Sequence, residues 1–142
     1  MIKLNNYITE AWSGVKKQSY EQEVKSWCEE MGIKNYTINS KGEIDVDGDV
    51  NLNKSNFKEL PYKFGKVRRF FVIEMCKNLT SLKNCPDYVG SYFSCNRCTS
   101  LDSLERCPKE VSLYFYCRNC KREFATEEVQ SLCNVKKTNI FV

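Results

Sequence analysis

The sequence predicts an α+β chain. It reads as a short β-solenoid of about four coils of 21–22 residues, capped by an N-terminal helix and β-hairpin and by a short C-terminal helix. Three observations carry this reading. Val67 to Pro86 aligns with Val89 to Pro108 at a constant offset of 22 residues, and Val111 to Cys120 opens a third copy that degrades into Lys-Arg-Glu-Phe124. Leu79-Thr-Ser-Leu82 recurs as Leu101-Asp-Ser-Leu104. A shorter copy starts at Val46, with Val50, Leu52, Phe57, Leu60 and Pro61 in the matching roles. A period of this length with L-x-x-L spacing predicts stacked coils that each supply one strand. The predicted boundaries are 1–45 for the N-terminal cap, 46–124 for the repeats and 125–142 for the C-terminal cap, within one domain.

In chain order, Ile2, Leu4, Tyr7, Ile8 and Trp12 fit a short strand or helix broken at Ser13-Gly14. From Ser19 the pattern turns helical: Val24, Trp27, Cys28 and Met31 fall at i, i+3, i+4, i+7, with Ser19 as N-cap, Gln22 three residues on, and Gly32 as C-cap. Tyr36 and Ile38, a turn over Asn39–Gly42, then Ile44 and Val46 predict a hairpin leading into the first coil. Asp45, Asp47 and Asp49 alternate with apolar residues. Asn56 stands where a calcium loop starting at Asp45 would need glutamate, so these acids read as the solvent face of a strand. In each later coil a strand alternates inward residues (Phe71 and Ile73, Phe93 and Cys95, Phe115 and Cys117) with outward ones. Thr126–Cys133 reads as a short helix with a Thr cap, followed by the tail Asn139-Ile-Phe-Val142.

Composition narrows the function classes. The chain has 142 residues, 28% charged and 42% hydrophobic, within the range of globular proteins. No apolar run reaches the roughly 18 residues of a membrane span, and the start MIKLNNYITEAWSG has no apolar core of a signal peptide. These points predict a cytoplasmic protein with no membrane partner. There is no histidine, which removes the commonest general base. With no G-x-S-x-G, no P-loop and no paired carboxylates, the sequence reads as non-enzymatic and without cofactor. The repeat half is the basic half, since the net charge is −1 over residues 1–45 and +5 over residues 46–142.

Nine cysteines pose the sharpest question. Cys95-x-x-Cys98 with Cys117-x-x-Cys120 has the spacing of a four-cysteine zinc site. Column alignment gives the competing reading. Cys95 and Cys117 share a column with Leu52 and Ile73, where a small buried thiol serves as a packing residue. Cys76, Cys98 and Cys120 fill a second column, and Cys85 and Cys107 a third. Equivalent residues on adjacent rungs lie about 5 Å apart in a near-planar square, which suits zinc poorly. The packing reading leads, with zinc on Cys95, Cys98, Cys117 and Cys120 as the alternative.

The outward side of the strands is the predicted partner surface. Phe70, Tyr92 and Tyr114 form one ladder, Val72, Ser94 and Tyr116 a second, and Glu74, Asn96 and Arg118 a third. Aromatic rows of this kind are interface-type surface. With the basic fringe, the predicted binding residues are Phe70, Tyr92, Tyr114, Tyr116, Arg69, Arg97, Arg118 and Arg122.

On Asn35-Tyr-Thr-Ile-Asn-Ser40, Ile44-Asp-Val-Asp-Gly-Asp-Val-Asn-Leu52, Leu79-Thr-Ser-Leu82 and Cys107-Pro-Lys-Glu-Val111, residues 33–122 resemble a family of short leucine-rich-repeat-like proteins of bacteria and their phages. The resemblance implies a small β-solenoid with a lid and no chemistry of its own. It also leads to the functional expectation: a phage- or prophage-derived binding protein that occupies a host protein, such as an anti-CRISPR-type inhibitor of a host defence system. The alternative is an RNA- or DNA-binding protein, or a binder of a nucleic-acid-binding protein. It would use the basic, Tyr-rich face directly or act through the zinc site.

Overall fold

The computed structural model describes residues 14–142. The strand or helix expected from Ile2 to Trp12 lies outside them.

Helix α1 (Gly14–Met31) buries Tyr20, Val24 and Cys28, spaced i, i+4, i+8 on one face. The expected N-cap at Ser19 is incorrect, because Ser19 sits inside the helix. The reason lies in Tyr20: helical backbone through Ser19 puts its ring into the core, where its hydroxyl donates to the Gly42 carbonyl at 2.8 Å. The other end follows the expectation, as Gly32 adopts φ 73°. Its N–H bonds the Glu29 carbonyl, while the Ile33 N–H reaches Cys28 at 2.9 Å, which closes the helix in a Schellman motif.

Strands β1 (Tyr36–Ile38) and β2 (Ile44–Val46) form the expected antiparallel hairpin. Then the fold expectation fails. A leucine-rich-repeat-like β-solenoid with one strand per coil is contradicted, for the strands do not close into a solenoid. Among the described residues the fold is α+β, with two α-helices and two five-stranded sheets of mostly parallel strands. The first sheet has the order β1-β2-β4-β6-β8 and the second β10-β9-β7-β5-β3. Here β3 is Val50–Asn51, β4 Phe64–Val67, β5 Phe71–Val72, β6 Tyr88–Val89, β7 Tyr92–Ser94, β8 Glu110–Val111, β9 Tyr114–Tyr116 and β10 Ile140–Phe141.

Each 22-residue repeat therefore contributes two strands, one to each sheet, so that Tyr88 pairs with Glu110 in the first and Phe71 with Phe93 in the second. Gly90, between β6 and β7, lies so close to the Arg68 carbonyl that a Cβ there would overlap it.

The core fills the space between the sheets. Phe64 of the first meets Phe71 of the second edge-on at 5.2 Å between ring centroids. Phe71, Phe93 and Phe115 stack as an inward column, at 6.1 and 5.1 Å between neighbours, and all three are fully buried. Leu79, Leu82, Leu101 and Leu104 are buried in the same core. Helix α1 covers the hairpin end of this core, with Trp27 edge-on to Tyr62 and Phe64.

At the far end, helix α2 (Thr126–Leu132) carries Glu127 and Glu128 in its first turn. Its N-cap is Ala125, not Thr126, and no side chain caps it. Arg122 braces this end, since its guanidinium pairs with both carboxylate oxygens of Glu128, at 3.1 and 2.5 Å, and lies 4.4 Å over the Phe124 ring. The tail then adds β10 as a parallel edge strand beside β9.

Candidate binding face and adjoining groove

Strand register arranges the outward residues of the second sheet in three rows. Tyr92 lies opposite Tyr114, with Phe70 on the preceding rung. Asn51, Val72, Ser94, Tyr116 and Phe141 form the second row. Asn53, Glu74, Asn96 and Arg118 form the third: the Glu74 N–H donates to Asn53 Oδ1 and the Arg118 N–H to Asn96 Oδ1, both at 2.7 Å. The Glu74 carboxylate also accepts the Ser94 hydroxyl and, at 3.4 Å, the Asn96 amide.

The aromatic rings spend much of their π surface on one another. Phe70 stacks on Tyr92 at 5.1 Å and 21°, and Tyr116 on Phe141 at 4.9 Å and 16°. Tyr92 meets Tyr116 edge-on at 6.0 Å, while Tyr114 tilts against Tyr116 and Phe141. Arg118 lies 5.3 Å over Phe141. The hydroxyls of Tyr92, Tyr114 and Tyr116 have no hydrogen-bond partner among the described residues. Burial, with Glu74 and Asp49 nearby, pushes the Tyr92 phenol above its ordinary value and keeps it a donor. The face is thus a ridge of ring edges and free hydroxyls. Phe141 belongs to it although the repeat pattern did not point there; only the alternation of Ile140 and Phe141 could have signalled it.

The four arginines singled out from the sequence fall in different places. Arg118 sits on the face. Arg69 lies at its entry end, exposed and paired with Asp49 at 3.2 Å. Arg122 is committed to the C-terminal cap and does not join the face. Arg97 turns into a groove just beyond the third row.

That groove, of about 690 Å³, is lined by Lys54, Ser55, Asn56, Met75, Lys77, Arg97, Thr99 and Asn119. Its spine is a column of corner residues following the strands of the second sheet: Lys54, Met75, Arg97 and Asn119, with φ of 62°, 56°, 60° and 57°. Non-glycine residues adopt this left-handed conformation reluctantly. Three of the four corners nevertheless hold hydrogen bonds to the next rung, Lys54 to Glu74, Met75 to Asn96 and Arg97 to Arg118, at 2.8–2.9 Å. Sequence reasoning passed over Lys54, Met75 and Lys77. The 21- and 22-residue spacing of the corners was the available signal, masked by four chemically unlike side chains.

The cysteines serve the core. All nine are free thiols, eight of them buried and Cys120 half-buried. Cys76, Cys98 and Cys120 each follow a corner, and each thiol donates to a carbonyl of the preceding rung: Leu52 at 3.3 Å, Ile73 at 3.0 Å and Cys95 at 3.3 Å. The column thus satisfies carbonyls where the chain leaves the sheet. Burial pushes the Cys28, Cys85, Cys117 and Cys133 thiols up to about 12. The neighbouring Cys76 thiol, together with burial, holds the Cys98 thiol higher still. Among the described residues, no three cysteines or carboxylates form a group able to hold a metal ion, Cys95, Cys98, Cys117 and Cys120 included. None of the described helices is long and apolar enough to cross a membrane. No protein family matches this chain, and neither a curated protein nor a solved structure matches it.

Proposed function

We propose that this protein is a non-catalytic binding module that acts by occupying another protein through the ridge formed by Phe70, Tyr92, Tyr114, Tyr116 and Phe141. The observation that carries this reading is how the rings are used. Nucleic-acid platforms offer open aromatic faces for bases to stack on. Here Phe70 and Tyr92, and Tyr116 and Phe141, each cover a ring face of the other, while the hydroxyls of Tyr92, Tyr114 and Tyr116 are left without a partner among the described residues. Aromatic rings pack against apolar side chains, and the hydroxyls suit carbonyl or carboxylate acceptors. The partner proposed is a host-cell protein, and the activity proposed is inhibition of a host defence system; the resemblance of residues 33–122 to short phage and bacterial repeat proteins is what suggests both. Nine free thiols support a reducing compartment, the cytoplasm.

The test is affinity capture from host extract with wild type, with the Tyr92→Ala/Tyr114→Ala/Tyr116→Ala variant and with the corresponding triple Phe variant. One partner held by wild type and lost with the alanine variant, whose fold is verified by circular dichroism, supports the reading. Weakened capture by the Phe variant, which keeps the rings, assigns part of the affinity to the hydroxyls. Undiminished capture by the alanine variant overturns the choice of face.

A further inference from the structure

We infer that the groove beside this ridge is the seat of an extended acidic segment of the same partner, so that ridge and groove act as one composite surface. The inference rests on the protein-binding reading above and adds the chemistry of what is bound.

Charge is the first observation. Lys54, Lys77 and Arg97 line the groove, and among the described residues no carboxylate does. None of the three has an ion-pair partner among the described residues, whereas Arg68, Arg69, Lys121 and Arg122 are each paired with an acid. Glu74, one residue before Met75, is taken up by Ser94 and Asn96 on the neighbouring rung and does not neutralise them. The Thr99 hydroxyl and the Asn119 amide are without protein partners among the described residues, so they add donors to the same wall.

Continuity is the second. Arg97 and Asn119 directly follow Asn96 and Arg118, the last outward row of the ridge. A partner resting on the tyrosines therefore reaches the groove without leaving the surface.

Shape is the third. Rungs are spaced about 4.8 Å apart, so the four corners span roughly 15 Å, the length of about five extended residues. Alternate side chains of an extended peptide point the same way, about 7 Å apart. Flexible lysine and arginine side chains on successive rungs can follow that spacing. A polynucleotide would satisfy the charges equally well. Its bases, however, would meet a ridge in which Phe70 and Tyr92, and Tyr116 and Phe141, are already stacked in pairs.

The experiment uses the full chain and needs no partner. Fluorescence anisotropy is measured with a labelled peptide of about eight residues alternating glutamate and serine, with its lysine-serine counterpart, and with an oligothymidylate of matched charge. The expected result is saturable binding of the acidic peptide that weakens with added salt and exceeds that of the oligothymidylate. The Lys54→Gln/Lys77→Gln/Arg97→Gln variant, altered only at exposed positions, should lose roughly tenfold or more. The tyrosine variant should keep the peptide. No saturable binding, equal binding by the glutamine variant, or tighter binding of the oligothymidylate would each overturn the inference. The two readings fail separately: a silent groove with tyrosine-dependent capture removes only the groove, and tyrosine-independent capture removes the ridge.

Discussion

Alkylating the folded protein with iodoacetamide near pH 8 should modify Cys120 first and leave the other eight thiols largely unreacted. The thiolate is the reactive species. A thiol raised to about 12, as at Cys28, Cys85, Cys117 and Cys133, is ionised in about one molecule in ten thousand at that pH, against about one in ten for an ordinary thiol near 9. Ionisation alone thus slows these four about a thousandfold, before steric exclusion counts. Cys120 is the opposite case. The neighbouring Cys95 thiol holds it below the ordinary value, and it is the one cysteine that is not fully buried. Cys76 separates the two causes: the neighbouring Cys98 thiol lowers it as well, yet it is fully buried. It should label only as fast as the fold opens. Intact-mass kinetics with peptide mapping reads all nine sites, and Cys120→Ser should abolish the fast phase. Cys76 labelling alongside Cys120, or several thiols reacting at once, would refute the packing account. Faster labelling of Cys95, Cys98, Cys117 and Cys120 after chelation would show a bound metal in its place.

Two substitutions test the energetics. Phe93→Ala removes the central ring of a fully buried column and should destabilise by about 3–5 kcal/mol in urea unfolding; Tyr114→Ala, 40% exposed, should cost no more than ~1.5 kcal/mol. Comparable losses at both sites would mean that the outward rings belong to the core. Arg122 holds the Glu128 carboxyl below its ordinary value of 4.5, so its contribution to stability is present above that value and is lost as pH falls through the lowered one. Glu128→Gln should therefore lower Tm at neutral pH, with the deficit narrowing progressively below pH 4.5; a deficit independent of pH would trace the effect to packing.

The sequence exposed what repetition amplifies. Phe71, Phe93 and Phe115 stand 22 residues apart because equivalent residues stack rung on rung, so the inward columns and the three outward rows were legible. Beyond its β1–β2 hairpin, the first sheet was not. Tyr88–Val89 and Glu110–Val111 are two-residue strands, too short to show alternation, and they gain strand character only by pairing with neighbouring rungs. One strand per repeat was therefore expected where there are two, and with it a solenoid that does not form. Helix α1 starts before Ser19 for a related reason: Tyr20 is recruited by a contact with Gly42, 22 residues away, which no local pattern records. Phe141 stands outside the period altogether. Arg122 looked like part of a basic fringe because its partner Glu128 lies in the cap and not in the repeat.

The left-handed corners carry a consequence for how such a surface can change. Each non-glycine residue there costs the fold ~1–2 kcal/mol that glycine would avoid. Lys54, Met75 and Arg97 make their backbone bonds whatever side chain they carry. Their identity is thus uncoupled from the folding instructions held in the inward columns. Replacement by glycine would relax the chain and remove a side chain from the groove wall, while replacement by another residue that keeps its backbone N–H would rewrite what the groove admits. The corners are where this protein can acquire a new target by a few point changes, leaving its core untouched.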